Sequence, residues 1–256
     1  LKTWIIEKDV FKDEEGWLVN SLDHLNIPHQ WYNKKRKYNT EEHILRCSTQ
    51  ILKTTPEFIS LFNYHLPSCL IFEKNMLNFN CVQYTFENLL INQNNIFKML
   101  GVDNKIWIKP DSPFKPFEAS LVNKKWLSKT LEIIRKDSGD LNPACIISSP
   151  KDICEEYRFF VNKTRILSGS SYRNRGDIEL YLPIAEDIFN FAESMAELYY
   201  EKINFSYNYI MSQADNLWVI DVCRTKSGDM KIVELNSFYS AGFYSANLKE
   251  IIKGAE

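Results

Sequence analysis

The sequence predicts an α+β fold that opens with a small α/β lobe. Three observations carry that prediction. The first residues alternate a strand-like run, a helix-like run and a second strand-like run. The middle of the chain holds two helices of apolar periodicity separated by short apolar strands. The remainder reads as two hairpins around one long helix, without the even βαβ rhythm of a doubly wound sheet.

Composition sets the outer limits. A chain of 256 residues with 45% hydrophobic content has room for a substantial core. A net charge of −2 gives no general attraction for nucleic-acid backbones. No apolar run approaches the roughly 20 residues of a membrane helix. The opening "LKTWIIEKDVF" reads as lacking a secretory signal, because its apolar run is short and carries charges. The six cysteines are scattered with no CxxC pair, which predicts reduced thiols and a cytoplasmic compartment. The four histidines all fall in the first quarter and show no zinc spacing. Only eight glycines occur, with no GxGxxG or GxxxxGK[ST], so a bound phosphate would not be held by a glycine-rich loop.

The elements follow in order. "TWIIEKDVF" predicts a strand, "DEEGWLVNSLDHLNI" an amphipathic helix, and "HQWYNKKRKY" a second strand running into a basic loop. "CLIFEKN", from Cys69, reads as another short strand that completes the small lobe, residues 1–78. "TFENLLINQNNIFKMLG" predicts a helix capped by Thr85 and stopped at Gly101. "KIWIKP" predicts a strand that enters the loop "DSPFKPFEASLV", and "KWLSKTLEIIRKDSG" a helix ending near Gly139. "ACIISSPKDICEEYRFFVNKTRILSGSSYRN" predicts a strand, a connector and a hairpin turning at Asn162–Lys163. "IAEDIFNFAESMAELYYEKI" is a strongly periodic helix, and "SAGFYSANLKEIIKGAE" a loop and a terminal helix.

The chemistry concentrates in "VIDVCRTKSGDMKIVELN", Val219–Asn236. Two apolar strands flank a polar turn centred on Ser227–Gly228, yet each strand carries a carboxylate at mid-length. Alternation puts Glu234 and Asn236 on one face, and an even-length loop places Asp221 opposite Glu234. Two like charges directly opposed destabilise a sheet, so a cation is expected to compensate. All three side chains offer oxygen, which suits Mg²⁺, and Mn²⁺ also fits. The competing reading is a solvated hairpin face, or carboxylates paired with Lys and Arg elsewhere.

Basic residues supply the complement. In "ICEEYRFFV", Glu156 and Arg158 share one strand face and Glu155 and Tyr157 the other. A guanidinium can clamp a phosphate in bidentate fashion, or pair with a neighbouring carboxylate. Arg173, across the hairpin, is either a second phosphate ligand or a surface residue. Lys109 ends an apolar strand, and Lys115 lies in the proline-stiffened loop that follows. Two such lysines would neutralise nucleotide phosphates; taken singly, each is better read as a snorkelling lysine on a loop.

In this order the segments resemble the ATP-grasp superfamily, most closely a clade of small domains with a KPxxxxKxF segment in place of the glycine-rich loop. Here that segment is "KPDSPFKPF"; the likeness continues through "EEYRFFV", "SGSSYR", "VIDV", "VELN" and "SAGFYSANLKEII" and covers residues 79–256. The resemblance implies two α+β lobes around a nucleotide, 79–147 and 148–256, preceded by the small lobe. It implies ATP and Mg²⁺, with phosphate contacts from Lys109 and Lys115. The backbone of Ile147, Ser148 and Ser149 would read adenine. Glu156 would accept from the ribose or hold Arg158. Arg158 and Arg173 would face the transferred phosphoryl group, and Asp221, Glu234 and Asn236 would hold one or two metal ions. The implied reaction activates a carboxylate as an acyl phosphate for attack by an amine, on an amino acid, peptide or other small molecule. Tyr239, Phe243 and Tyr244 then contact a second substrate or pack the core.

Two rivals remain at this level. A nucleotidyltransferase or nucleic-acid ligase would adenylate Lys109, and "KPDS" approaches K-x-D-G but lacks the glycine. A non-catalytic nucleotide-binding module would use "NKKRK", Asn33–Lys37, as a contact patch; otherwise that run is a solvated loop.

Overall fold

The computed structural model describes residues 1–39, 41–54, 73–112, 115–174, 177–178, 181, 183–207 and 216–256. Cys69–Phe72 of the expected third strand, and Pro113 and Phe114 of the loop after Lys109, lie outside them. The elements run β1 (Thr3–Ile6), α1 (Lys12–His24), β2 (His29–Trp31), β3 (His43–Arg46), α2 (Thr49–Thr54), β4 (Val82–Thr85), α3 (Phe86–Leu100), β5 (Lys105–Pro110), β6 (Ser120–Asn123), α4 (Leu127–Ser138), β7 (Ala144–Ser148), β8 (Ile153–Asn162), β9 (Arg165–Asn174), β10 (Asp177–Ile178), α5 (Glu186–Tyr207), β11 (Leu217–Thr225), β12 (Met230–Ser237) and α6 (Leu248–Ala255). The α+β class expected from the sequence is the class found. The chain divides into two compact units, Leu66–Asp152 and a discontinuous one made of Leu1–His65 with Ile153–Glu256.

The contiguous unit is a four-stranded sheet, ordered β4-β7-β5-β6, with α3 and α4 packed on it. Phe86, Leu89, Ile96, Phe97 and Leu100 of α3 and Leu127 and Leu131 of α4 meet Ile106, Ile108 and Ile147 of the sheet. Helix α3 starts as expected, with Thr85 Oγ1 accepting from the Asn88 N–H, and ends at Gly101. Helix α4 ends at Gly139. The loop after Lys109 was expected to be irregular throughout, but it returns as β6, antiparallel to β5.

The discontinuous unit holds two sheets. The first is parallel, ordered β2-β1-β3, so the βαβ opening is present. Its third strand is His43–Arg46, a run the apolar pattern does not announce. The second is antiparallel, ordered β10-β9-β8-β11-β12. Tyr157, Phe159, Ile220 and Val222 share one of its faces with Phe189 of α5, whose ring meets Phe159 edge-on at 6.1 Å. The opposite face carries the polar residues singled out above and, further along β8, Phe160. The β8–β9 turn falls at Lys163–Thr164, one residue later than expected, because Asn162 pairs with Arg165.

Gly169 of β9 lies under the Phe159 ring: a Cβ there would come within 2.5 Å of its Cδ1 atom and 3.0 Å of Ile184 Cδ1. Phe159 is fully buried and cannot withdraw. Gly169→Ala is therefore expected to cost about 1–3 kcal/mol by overpacking, read from the urea midpoint at unchanged m. A midpoint equal to wild type would refute the tight fit.

Candidate nucleotide and metal site

The register of β11 and β12 answers why two carboxylates sit in apolar strands. The turn is a three-residue loop, Lys226–Gly228, not the even loop expected. The Gly228 N–H donates to Thr225 O at 2.9 Å, and Gly228 has φ 90°, which a side chain would strain. That loop alone pairs Arg224 with Met230 and Val222 with Ile232. A bulge then leaves Val233 unpaired, and from there Asp221 faces Glu234 and Val219 faces Asn236. Without the bulge, Ile232 and Glu234 would share a face. With it, Ile232 and Leu235 sit with the core-facing residues of β11, and Glu234 and Asn236 with Asp221.

The compensating cation is Arg158. It lies opposite Asp221 on β8. Its Nε donates to Asp221 Oδ1 at 2.8 Å and its Nη2 to Oδ2 at 2.7 Å, a bidentate pair. Asp221 is fully buried and Arg158 nearly so. Burial alone would disfavour the Arg158 charge, but the Asp221 carboxylate outweighs it and holds the guanidinium protonated. Asn236 Nδ2 links the acids, donating to Asp221 Oδ2 at 2.8 Å and Glu234 Oε1 at 3.0 Å.

Glu156, two residues before Arg158, points to the same face. Of the two roles expected for it, holding Arg158 is not the contact formed; its ion-pair partner is Arg173, 3.5 Å away. Arg173 is half exposed. Burial, and next the Asp221 charge, push the Glu156 carboxyl up from 4.5 to about 7, against the opposing pull of Arg173 and the Tyr172 hydroxyl. Tyr172 is itself pushed far up, by burial and then by Asp221 and Glu156, so it stays protonated. A carboxyl raised on folding stabilises fully below its unfolded value and loses that contribution as pH rises through its folded value. Stability is therefore expected to fall between about pH 4.5 and 7 on this account. Glu156→Gln, neutral throughout, should flatten that limb of the urea-midpoint profile; an unchanged slope would refute the assignment. On the opposite face, Glu155 is engaged by Arg224 at 3.2 Å, and Arg224 also grips Asp187 of α5 at 2.9 Å, which is a structural brace.

The donor set fits a hard divalent cation in kind: two carboxylates and an amide on one face, all offering oxygen. Arg158 and Asn236 together already donate three hydrogen bonds to Asp221, so a lone pair is freed for a cation when the Asn236 amide turns away. Asn236 directs its amide nitrogen at the acids, and a half-turn of the amide presents its oxygen to the same point. Among the described residues no three His, Cys, Asp or Glu side chains converge on a metal position. The five described cysteines are free thiols, and burial pushes Cys47, Cys145 and Cys223 up to about 12.

The other expected ligands belong to the contiguous unit. Lys109 stands in β5 opposite Ile146, half-buried. Lys115 is exposed, at φ 41°. Ile147 is flanked on both sides, by Val82 of β4 and Ile108 of β5, whereas pairing with β4 has ended at Ser148 and Ser149. Ser148 turns its hydroxyl inward to Asn78 Oδ1 at 3.0 Å. Lys151, in the connector, donates to Asn80 Oδ1 at 3.2 Å, and burial lowers its pKa. Sequence reasoning passed over Lys151 and also Tyr172, which a second bulge, between Glu156 and Tyr157, leaves unpaired in β9. Tyr239 and Phe243 are buried, while Tyr244 stacks in parallel on Tyr172 at 5.2 Å.

Solved structures share this architecture from end to end. The D-cycloserine synthetase DcsG superposes with a TM-score of 0.62 at 8% identity, covering 98% of both chains. D-alanine–D-alanine ligase from Bacillus anthracis, complexed with ATP, gives 0.60 at 12% identity over 99% of this chain and 95% of its own. The ATP-grasp ligase PsnB, complexed with a phosphomimetic variant of its minimal precursor, Mg and ADP, gives 0.56 at 10% identity over 100% and 98%. At such identities the likeness is one of fold, and the fold is ATP-grasp. No curated protein matches the sequence. Residues 90–253 match the ATP-grasp domain of R2K clade family 2, and the chain belongs to that family. No helix among the described residues is long and apolar enough to cross a membrane.

Proposed function

We propose that the protein is an ATP- and Mg²⁺-dependent ligase that phosphorylates a carboxylate and lets an amine or similar nucleophile displace the phosphate. The observation that carries this reading is the sheet face on which Arg158, Asp221, Glu234 and Asn236 stand in one register, within a chain of an ATP-grasp family. A substrate carboxylate oxygen bonds the γ-phosphorus as the bond to the ADP oxygen breaks. The amine nitrogen then bonds the acyl carbon, inorganic phosphate leaves, and the nitrogen sheds a proton. Asp221, Glu234 and Asn236 would hold Mg²⁺, which would supply neutralising charge to the phosphates.

The chain's own residues bind and orient. Lys109 and Lys115 meet the phosphates, and the backbone at Ile147–Ser149 meets the base, with Ser148 and Ser149 the better candidates because pairing with β4 has ended there. Glu156 is kept for the ribose. Arg158 and Arg173 serve the transferred phosphoryl group in different ways. Arg158 offsets the Asp221 charge, so that the acids do not repel the nucleotide. Arg173, half exposed, is the guanidinium able to reach it. The substrates are an amino acid, a peptide or another small molecule.

The test is a screen for ADP or AMP release over amino acids and peptides, with Lys109→Ala and Glu234→Gln as controls. ADP with phosphate supports the acyl phosphate. AMP, with a Lys109 adduct by mass spectrometry, would replace it with adenylation.

A further inference from the structure

The segment after Asn236 is gripped from two sides within one unit. From the N-terminal lobe, Arg46 Nη1 donates to Phe238 O at 2.6 Å and the Cys47 N–H to Tyr239 O at 3.1 Å. Glu14 Oε1 accepts two consecutive amides, Phe243 at 2.7 Å and Tyr244 at 3.0 Å, the nest geometry that backbone uses for anions. Arg46 is fully buried, its guanidinium 4.4 Å from the Phe11 ring centre and 3.9 Å from that of Phe243, with Glu14 Oε2 at 3.7 Å. From the second sheet, Arg158 Nη1 donates to Gly242 O at 3.3 Å, and the Ser170 and Ser245 hydroxyls meet at 2.6 Å.

Between the grips the backbone is forced. Tyr244 has φ 54°, a left-handed conformation that a bulky residue holds only when its surroundings over-determine it. Gly242 sits close under Glu14: a Cβ there would stand 3.3 Å from Oε1, tight enough that the carboxylate would have to shift. The forced conformation lays Tyr244 on Tyr172 and delivers Gly242 O to the same guanidinium that holds Asp221.

We propose that Glu14 and Arg46 are positioning residues of the candidate site, acting through the segment Ser237–Ser245 to fix Arg158 and Tyr244. The N-terminal lobe is then a working part of the site, although the family match begins only at residue 90. The proposal rests on reading the acidic face as the metal–nucleotide site.

The experiment compares the full chain with Glu14→Gln, which keeps an oxygen acceptor, and Glu14→Leu, which removes both. Two readouts are taken: amide exchange at Phe243 and Tyr244, and Mn²⁺·ADP affinity by calorimetry. Glu14→Leu should speed exchange at the two amides by about 10-fold or more while β8 and β11 exchange as before, and weaken Mn²⁺·ADP by a similar factor. Glu14→Gln should recover most of both. If Glu14→Leu does not fold, Glu14→Gln decides, with an expected shift of about 2- to 5-fold in the same direction. Unchanged exchange, or faster exchange with unchanged affinity, overturns the proposal. A wild-type protein that binds no Mn²⁺·ADP overturns instead the metal–nucleotide reading on which it rests.

Discussion

Asp221→Ala is expected to destabilise the folded protein by about 3–5 kcal/mol, the largest single loss foreseen for this chain. The carboxylate is fully buried and holds two nitrogens of Arg158, itself nearly buried. Removing the acid leaves a guanidinium without its counter-charge in a place that water barely reaches, and that penalty exceeds the worth of the bonds themselves. Asp221→Asn, which keeps one acceptor oxygen, should fall between. The double change Asp221→Leu with Arg158→Met should recover much of the loss, because the pair goes out together. Urea unfolding at constant m measures all three. A single-mutant midpoint within about 0.5 kcal/mol of wild type would mean that the pair contributes nothing.

Glu234→Gln is expected to act in the opposite sense, on turnover and not on folding. Glu234 is only half-buried, and an amide can still accept from Asn236 Nδ2, now 3.0 Å from its Oε1. Stability should therefore stay within about 1 kcal/mol. ADP release should drop by about 100-fold or more, since one of the two negative charges offered to the cation is gone. Lys109→Ala should give a comparable loss by removing a charge that meets the phosphates. Both are read with a responsive acceptor found in the screen. Full activity in both variants would remove the site assignment.

Much of this was written in local pattern. The cap at Thr85 and the stops at Gly101 and Gly139 lie where their residue types predict, because caps and stops are decided within one helical turn. The opposition of Asp221 and Glu234 was also legible, since strand alternation allows few registers. Its route was not: a three-residue loop and a bulge at Val233 together give the register that a plain even loop would give. The sequence leaves Arg158 as either a phosphate clamp or an ion-pair member, and only the sheet order β8-β11-β12 reveals Asp221 as its partner. Arg46 was invisible. A strand-end arginine looks solvated until tertiary packing brings two aromatic rings and a glutamate around it, from Phe11, Glu14 and Phe243. The Phe243 contact joins opposite ends of the chain, and Phe11 and Glu14 also lie outside any local window around Arg46.

That same arrangement bears on synthesis. Residues 66–152 form a contiguous unit whose strands and helices need nothing distant, so it can consolidate once its inner strand β7 has left the ribosome, ahead of β11 and β12. The opening β1–α1–β3 segment has to wait. Glu14 and Arg46 can meet each other early, but their backbone partners arrive only when Phe238–Tyr244 has been translated and has cleared the exit tunnel. Through that interval Trp4 lacks the cover of Phe238, its edge-on neighbour, and presents apolar surface of the kind a chaperone recognises.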